Sequence, residues 1–270
     1  MTTRHVTSDD GTPLAFDRLG AGPPLILIGG MLCDRQTTRP LAEKLAERCT
    51  VVNYDRRGRG ESGDTEPYAV EREVEDVAAL IAAVGGSAAV YGHSSGAGLA
   101  AHAAAAGLPI TRLVLHEPPY GPDDEQSTRA ARILAEEVGA ALADDRPGEA
   151  VSLFLADSGM PAEAVDAIST DPRMRALAST MPHDFAVMGD DTRGGTIPED
   201  IIAKITVPTL VLSGDASDGF LRDTAARLAG ILQDGAQMVL EGADHAAPAD
   251  AVAPVVANFV TATAADETDC

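Results

Sequence analysis

The chain has 270 residues, 45% of them apolar, with no Trp and only 3% aromatic residues. That length holds one sizeable α/β domain with an insertion, its core built from Ala, Leu, Val and Ile. A formal net charge of −22 argues against nucleic acid or an anionic membrane as a partner, because both would repel the chain.

Met1-Thr2-Thr3-Arg4-His5 lacks the apolar stretch of a signal peptide, and no uninterrupted apolar run approaches the ~18 residues of a membrane span. A soluble, cytoplasmic chain is expected. Three cysteines (Cys33, Cys49 and Cys270) without metal-like spacing agree with a reducing compartment, and Cys49 is expected to be a small core residue.

In chain order, a strand-like run at residues 14–19 is a candidate for antiparallel pairing. A strand at 25–28, a helix at 37–48 and a strand at 50–54 follow. Residues 70–84 repeat Val70, Val74, Val77, Leu80, Ile81 and Val84 at helical spacing, with Glu71, Glu73 and Glu75 elsewhere on the turn. A strand at 88–91, a helix at 95–106 and a strand at 112–115 continue the pattern. Strand 209–213, helix 220–232, strand 236–240 and helix 250–263 complete it. Short, continuously apolar strands alternating with helices predict an α/β fold: a doubly wound, mostly parallel sheet.

Residues 121–199 interrupt this order. Helical patches at 124–142, 148–157, 161–168 and 173–188 are punctuated by prolines, with no convincing strand. An insertion after one strand of such a sheet sits over the strands' carboxyl ends, where ligands bind. The expected organisation is a core of residues 1–120 and 200–270 under a helical cap of 121–199. The low-complexity stretch 261–270 is expected to fray.

Gly92-His93-Ser94-Ser95-Gly96 is a G-x-S-x-G segment between a predicted strand and a predicted helix. In that setting the serine is a candidate nucleophile, held in a strained turn that glycine neighbours permit. It needs a base. His245, in Glu241-Gly242-Ala243-Asp244-His245 between the last strand and last helix, stands where this topology returns a residue to the serine. Among the other histidines, His93 is expected to pack under the loop, His5 and His102 to be surface or helix residues, and His183 to lie in the cap. An oxyanion site needs two amides aimed at one point. Ser95 supplies one, and Met31, in Gly29-Gly30-Met31-Leu32-Cys33, is the preferred second donor.

These segments together resemble the α/β-hydrolase superfamily over nearly the whole chain. Gly29-Gly30-Met31 stands where members carry His-Gly-x, and Asp55-Arg56-Arg57-Gly58-Arg59-Gly60-Glu61-Ser62 is similar to their D-x-R-G-x-G-x-S loop. The elbow and the Gly242-Ala243-Asp244-His245 loop follow in family order. The resemblance implies that the arginines of the 55–62 loop are scaffold.

The acid departs from the usual pattern, because the position where most members carry Asp holds Ser217, with Asp215 and Asp218 nearby. Certain haloalkane dehalogenases instead place the acid after the preceding core strand. That position is Glu117, in His116-Glu117-Pro118-Pro119, and a carboxylate there demands a partner. Glu117 is therefore the preferred acid and Asp218 the alternative.

The resemblance implies a serine hydrolase that opens a small or medium ester, lactone or thioester through an acyl-enzyme on Ser94. The same fold also hosts acyl transfer, perhydrolysis, C–C cleavage and cofactor-free cyclisation, and a non-catalytic binding member is a further alternative. A small-molecule substrate is the only partner expected, with no metal or organic cofactor.

Overall fold

The apolar runs pair into one eight-stranded sheet. The structure is a computed structural model and describes residues 3–262. Its strands are β1 (Arg4–Thr7), β2 (Pro13–Leu19), β3 (Pro24–Ile28), β4 (Thr50–Tyr54), β5 (Ala88–His93), β6 (Ile110–His116), β7 (Thr209–Gly214) and β8 (Gly235–Leu240), in the order β1-β2-β4-β3-β5-β6-β7-β8. β2 runs antiparallel to both β1 and β4, and every other pairing is parallel. β1 escapes sequence reading because Arg4-His5-Val6-Thr7 is mostly exposed and has no apolar alternation; only its pairing with β2 makes it a strand.

Successive side chains of the parallel strands point to opposite faces, so each face needs cover. On one face Val52, Val90, Leu113, Leu115 and Val211 are fully buried. They are covered by α2 (Val70–Ala83), α3 (Ser95–Ala105) and α11 (Gly219–Ile231). On the other, Leu25, Leu27, Val51, Val114 and Leu212 pack with Cys49 beneath α1 (Arg39–Leu45) and α12 (Ala249–Thr261). α1 is shorter than its apolar pattern predicts. The Asp34 carboxylate accepts from the Gln36 and Thr37 amides, making a turn there, and Pro40 opens the helix only after it. Of the stretch 261–270 expected to fray, Thr261 closes α12, and residues 263–270, with Cys270, lie outside the described residues.

α2 departs from its expected pattern in a way that matters later. Glu73 and Asp76 are buried, because two arginines of the 55–62 loop meet them from below.

Between β6 and β7 the chain forms α4 (Glu125–Ala143), α5 (Pro147–Asp157), α6 (Ala162–Ser169), α7 (Pro172–Leu177), a 3-10 turn, α8 (Met181–Met188), α9 (Asp190–Arg193) and α10 (Glu199–Ile202). The single patch predicted at 173–188 is thus broken, and Pro172 and Pro182 each open a new helix. Val138, Val151, Leu155, Val165, Leu177, Met181 and Phe185 form a cluster of their own that includes Leu32 of the β3–α1 loop. Val187 and Met188 of α8 belong instead to the sheet core. No helix among the described residues is long and apolar enough to cross a membrane.

Candidate active site

Adjacent parallel strands deliver the first two candidate residues. His93 and His116 are register partners at the ends of β5 and β6, so Ser94 and Glu117 each stand one residue beyond. The Ser94 amide donates to the His116 carbonyl at 2.9 Å, and the Glu117 amide donates to the Leu212 carbonyl at 3.0 Å. Both residues take left-handed backbone, with φ of 56° at Ser94 and 46° at Glu117. Leu32, in the loop after β3, does the same at 57°. Non-glycine residues avoid this region, which stores about 1–3 kcal/mol each. Of the four such residues among those described, three converge on one place.

Close backbone approach explains the glycines of the elbow. A Cβ on Gly92 would lie 2.3 Å from the Gly96 carbonyl oxygen, and one on Gly96 would lie 2.4 Å from that of Ile28. The turn therefore forms only without side chains at both positions.

β7 and the loop after β8 bring the histidine. A Cβ on Gly214 would meet the Ala243 carbonyl oxygen at 2.1 Å, and that carbonyl accepts from the Ala216 amide at 2.9 Å. This holds the 241–245 loop against the end of β7. His245 Nδ1 then lies 2.8 Å from Glu117 Oε2, while Glu117 Oε1 accepts from the Gly214 amide at 2.7 Å. Glu117 is fully buried. Burial alone would raise its carboxyl, but the bonds from His245 and Gly214 outweigh it and hold the group at about 2. Glu117 is thus a carboxylate at neutral pH, so the imidazole donates through Nδ1 and Nε2 is left as the acceptor.

His93 packs under the loop: its Nε2 donates to the His245 carbonyl at 2.9 Å, with the rings 4.7 Å apart. Burial, reinforced by His116 and His245, pushes His93 well below the usual histidine range, so it stays neutral. His5 lies on exposed β1. His102 sits on α3 with Nε2 3.2 Å from the Val187 carbonyl, and His183 stacks on Tyr68 at 3.8 Å. Asp218, the alternative acid, is exposed at the start of α11 and has no hydrogen bond to His245 among the described residues. Asp215 instead accepts from the Gly242 amide.

The β3–α1 loop runs beside the serine. A Cβ on Gly30 would lie 2.8 Å from Ser94 Cβ and 3.3 Å from its Oγ. The next residue is Met31; Ser95, the first residue of α3, flanks Ser94 on the other side. Neither amide has an acceptor among the described residues. Free amides at the start of a helix favour negative charge there.

Sequence reasoning missed the charge network below this site. The Arg56 guanidinium grips Glu73 through two bonds of 2.8 and 2.7 Å. It also reaches Asp184 Oδ1 of α8 at 2.5 Å, and Arg59 reaches Asp184 Oδ2 at 2.5 Å. All four groups are almost wholly buried, and their two positive and two negative charges cancel. Burial would raise the Asp184 carboxyl, but Arg59 and Arg56 hold it at about 2. Arg57 is bound separately by Asp76 and Asp10. These arginines have no free face for a ligand, as the scaffold role implies.

Residues 25–258 match the alpha/beta hydrolase family, and the chain belongs to that family. It is therefore an enzyme of the hydrolase class. It is similar to an alpha/beta hydrolase from Sphaerobacter thermophilus DSM 20745, whose crystal structure shares 48% identity and a TM-score of 0.86 over 96% of this chain and 100% of that one. The 2-(acetamidomethylene)succinate hydrolase of Mesorhizobium japonicum is 28% identical over 243 residues, 84% of this chain and 82% of its own length. The N-formylmaleamate deformylase of Pseudomonas putida is 39% identical over 104 residues, 37% of this chain and 39% of its own.

Proposed function

We propose that the protein is a serine hydrolase in which Ser94 attacks a carbonyl carbon, His245 accepts its proton and later activates water, and Glu117 orients the imidazole. The Met31 and Ser95 amides receive the oxyanion. The observation that carries this reading is the 2.8 Å bond between His245 and a buried, ionised Glu117 at the end of β6, the strand beside the one that leads into the strained Ser94. A base so oriented leaves Nε2 free to take the hydroxyl proton, and a neighbouring negative charge stabilises the imidazolium that results. The helices inserted between β6 and β7 serve as the cap. Met31 packs against their apolar cluster, so an aliphatic acyl group fits beside the oxyanion site. A small or medium ester, lactone or thioester is the substrate class.

A second reading is hydrolysis of an N-acyl bond. It is favoured by the names of the two curated relatives, one an acetamidomethylene compound and the other an N-formyl compound. A fluorophosphonate probe is expected to label wild-type protein at Ser94, located by peptide mass spectrometry. Side-by-side assays on p-nitrophenyl esters of increasing chain length and on N-acyl dicarboxylates then separate the two readings. Failure to label, with a known serine hydrolase labelled alongside, would sink both.

Gly30→Ala tests the geometry independently. Its methyl group would press on Ser94, so turnover is expected to fall about 100-fold, since a displacement of about 1 Å at a reacting group has that effect. Steady-state kinetics on the best ester reads the loss, and unchanged turnover would remove the β3–α1 loop from the site.

A further inference from the structure

We propose that Asp184, on an inserted helix, is the positioning residue of the oxyanion site, holding one donor through Arg59 and the other through the Ser95 hydroxyl. This rests on the reading of the Met31 and Ser95 amides as the oxyanion donors.

The first arm runs through a single peptide group. Arg59, whose Nη2 binds Asp184, donates from Nη1 to the Gly30 carbonyl oxygen at 2.6 Å. The Cys33 amide donates to the same oxygen at 3.3 Å. That carbonyl and the Met31 N–H belong to one planar trans unit and point in opposite directions. Fixing the Gly30 oxygen therefore aims the Met31 N–H, and a cation on the oxygen also polarises the N–H into a stronger donor. With two glycines, Gly29 and Gly30, leading into it, this peptide would otherwise be free to turn.

The second arm is direct. Ser95 Oγ donates to Asp184 Oδ1 at 2.7 Å, the same oxygen that Arg56 Nη1 approaches at 2.5 Å. This bond ties the first residue of α3, whose amide flanks Ser94, to the same carboxylate. Arg59 Nε also donates to Thr180, so the arginine's plane is held from two sides. One side chain thus sets the relative placement of two amides from different loops. Catalysis by an oxyanion site depends on such placement, because its donors act only when aimed at the point where charge develops.

The experiment compares wild type, Asp184→Asn, Ser95→Ala and the double variant at a temperature well below each protein's unfolding midpoint. It reads the second-order rate of fluorophosphonate labelling, together with kcat and KM for p-nitrophenyl acetate. Ser95→Ala removes a hydroxyl and keeps the amide, so it carries the test even if Asp184→Asn fails to fold. Asp184→Asn and Ser95→Ala are each expected to slow labelling and lower kcat by about 10- to 100-fold, with KM within about threefold. In the double variant the combined loss is expected to fall short of the product of the two single losses, since both changes act on one linkage.

A purely structural Asp184 would lower the unfolding midpoint but leave the labelling rate and kcat within about twofold of wild type, and that result overturns the proposal. A rise in KM alone overturns it too. Wild-type protein that takes no label overturns the reading of Ser94, and the proposal with it.

Discussion

Ser94→Ala is expected to reduce ester turnover by about 10^5- to 10^6-fold, the scale of losing a nucleophile from a group that acts as a unit. Alanine keeps the Cβ, and with it the left-handed strain at this position. Fold stability is therefore expected to move by no more than about 0.5 kcal/mol, as thermal unfolding would show. Loss of turnover with an unchanged unfolding midpoint assigns the effect to chemistry. Residual turnover above about 1% would mean that another group attacks the substrate.

Glu117→Gln is expected to lower kcat about 10^4-fold, while Asp218→Asn stays within about twofold of wild type. The reason lies in the two partners of the carboxylate. Oε1 accepts from the Gly214 amide and Oε2 from His245 Nδ1. Glutamine has one acceptor and one donor at these places. With its oxygen kept on Gly214, its NH2 faces Nδ1 and forces the imidazole into the tautomer that carries its proton on Nε2. That nitrogen then cannot take a proton from Ser94. With the amide reversed, the buried Gly214 N–H loses its acceptor, and in either case the imidazolium loses its neighbouring charge. Asp218, exposed at the start of α11, has no such partners. Equal turnover of Glu117→Gln and wild type would return the acid to another carboxylate.

The parallel strands and their covering helices were legible because burial on both faces leaves short, continuous apolar runs. β1 was not, since it borrows its conformation from β2. The glycines around Ser94 announced a tight turn, yet positive φ at Leu32 and Glu117 had no signature, because nothing in Leu or Glu favours it. The preference for Glu117 over Asp218 rests on the resemblance to certain haloalkane dehalogenases, which place the acid after this strand, and on the need of a carboxylate there for a partner. What brings Glu117 and His245 into contact is the packing of Gly214 against Ala243, a feature of backbone geometry. The Asp184 network was out of reach for a simpler reason. Glu73, expected away from the apolar side of α2, and Asp184, lost in a proline-broken helical patch, have ordinary sequence surroundings. Only the fold sets both against Arg56.

α8 carries three different neighbours around its circumference. Met181 and Phe185 meet the inserted helices, Val187 and Met188 meet the sheet core, and Asp184 meets the arginines. Losing the Asp184 carboxylate would leave two buried guanidinium groups with Glu73 as their one nearby carboxylate, a loss of about 3–5 kcal/mol by the usual scale for breaking a buried pair. Though the insertion is continuous in the chain, its mechanical seam therefore falls along this helix and not at the points where the insertion begins and ends. α8 works as a keel, tied to the sheet core by Val187 and Met188 and to the 55–62 loop by Asp184. The helices before it reach the β3–α1 loop by other ties, the packing of Met31 and Leu32 and the pairing of Arg173 with Asp34, which any rebuilding of them would have to keep.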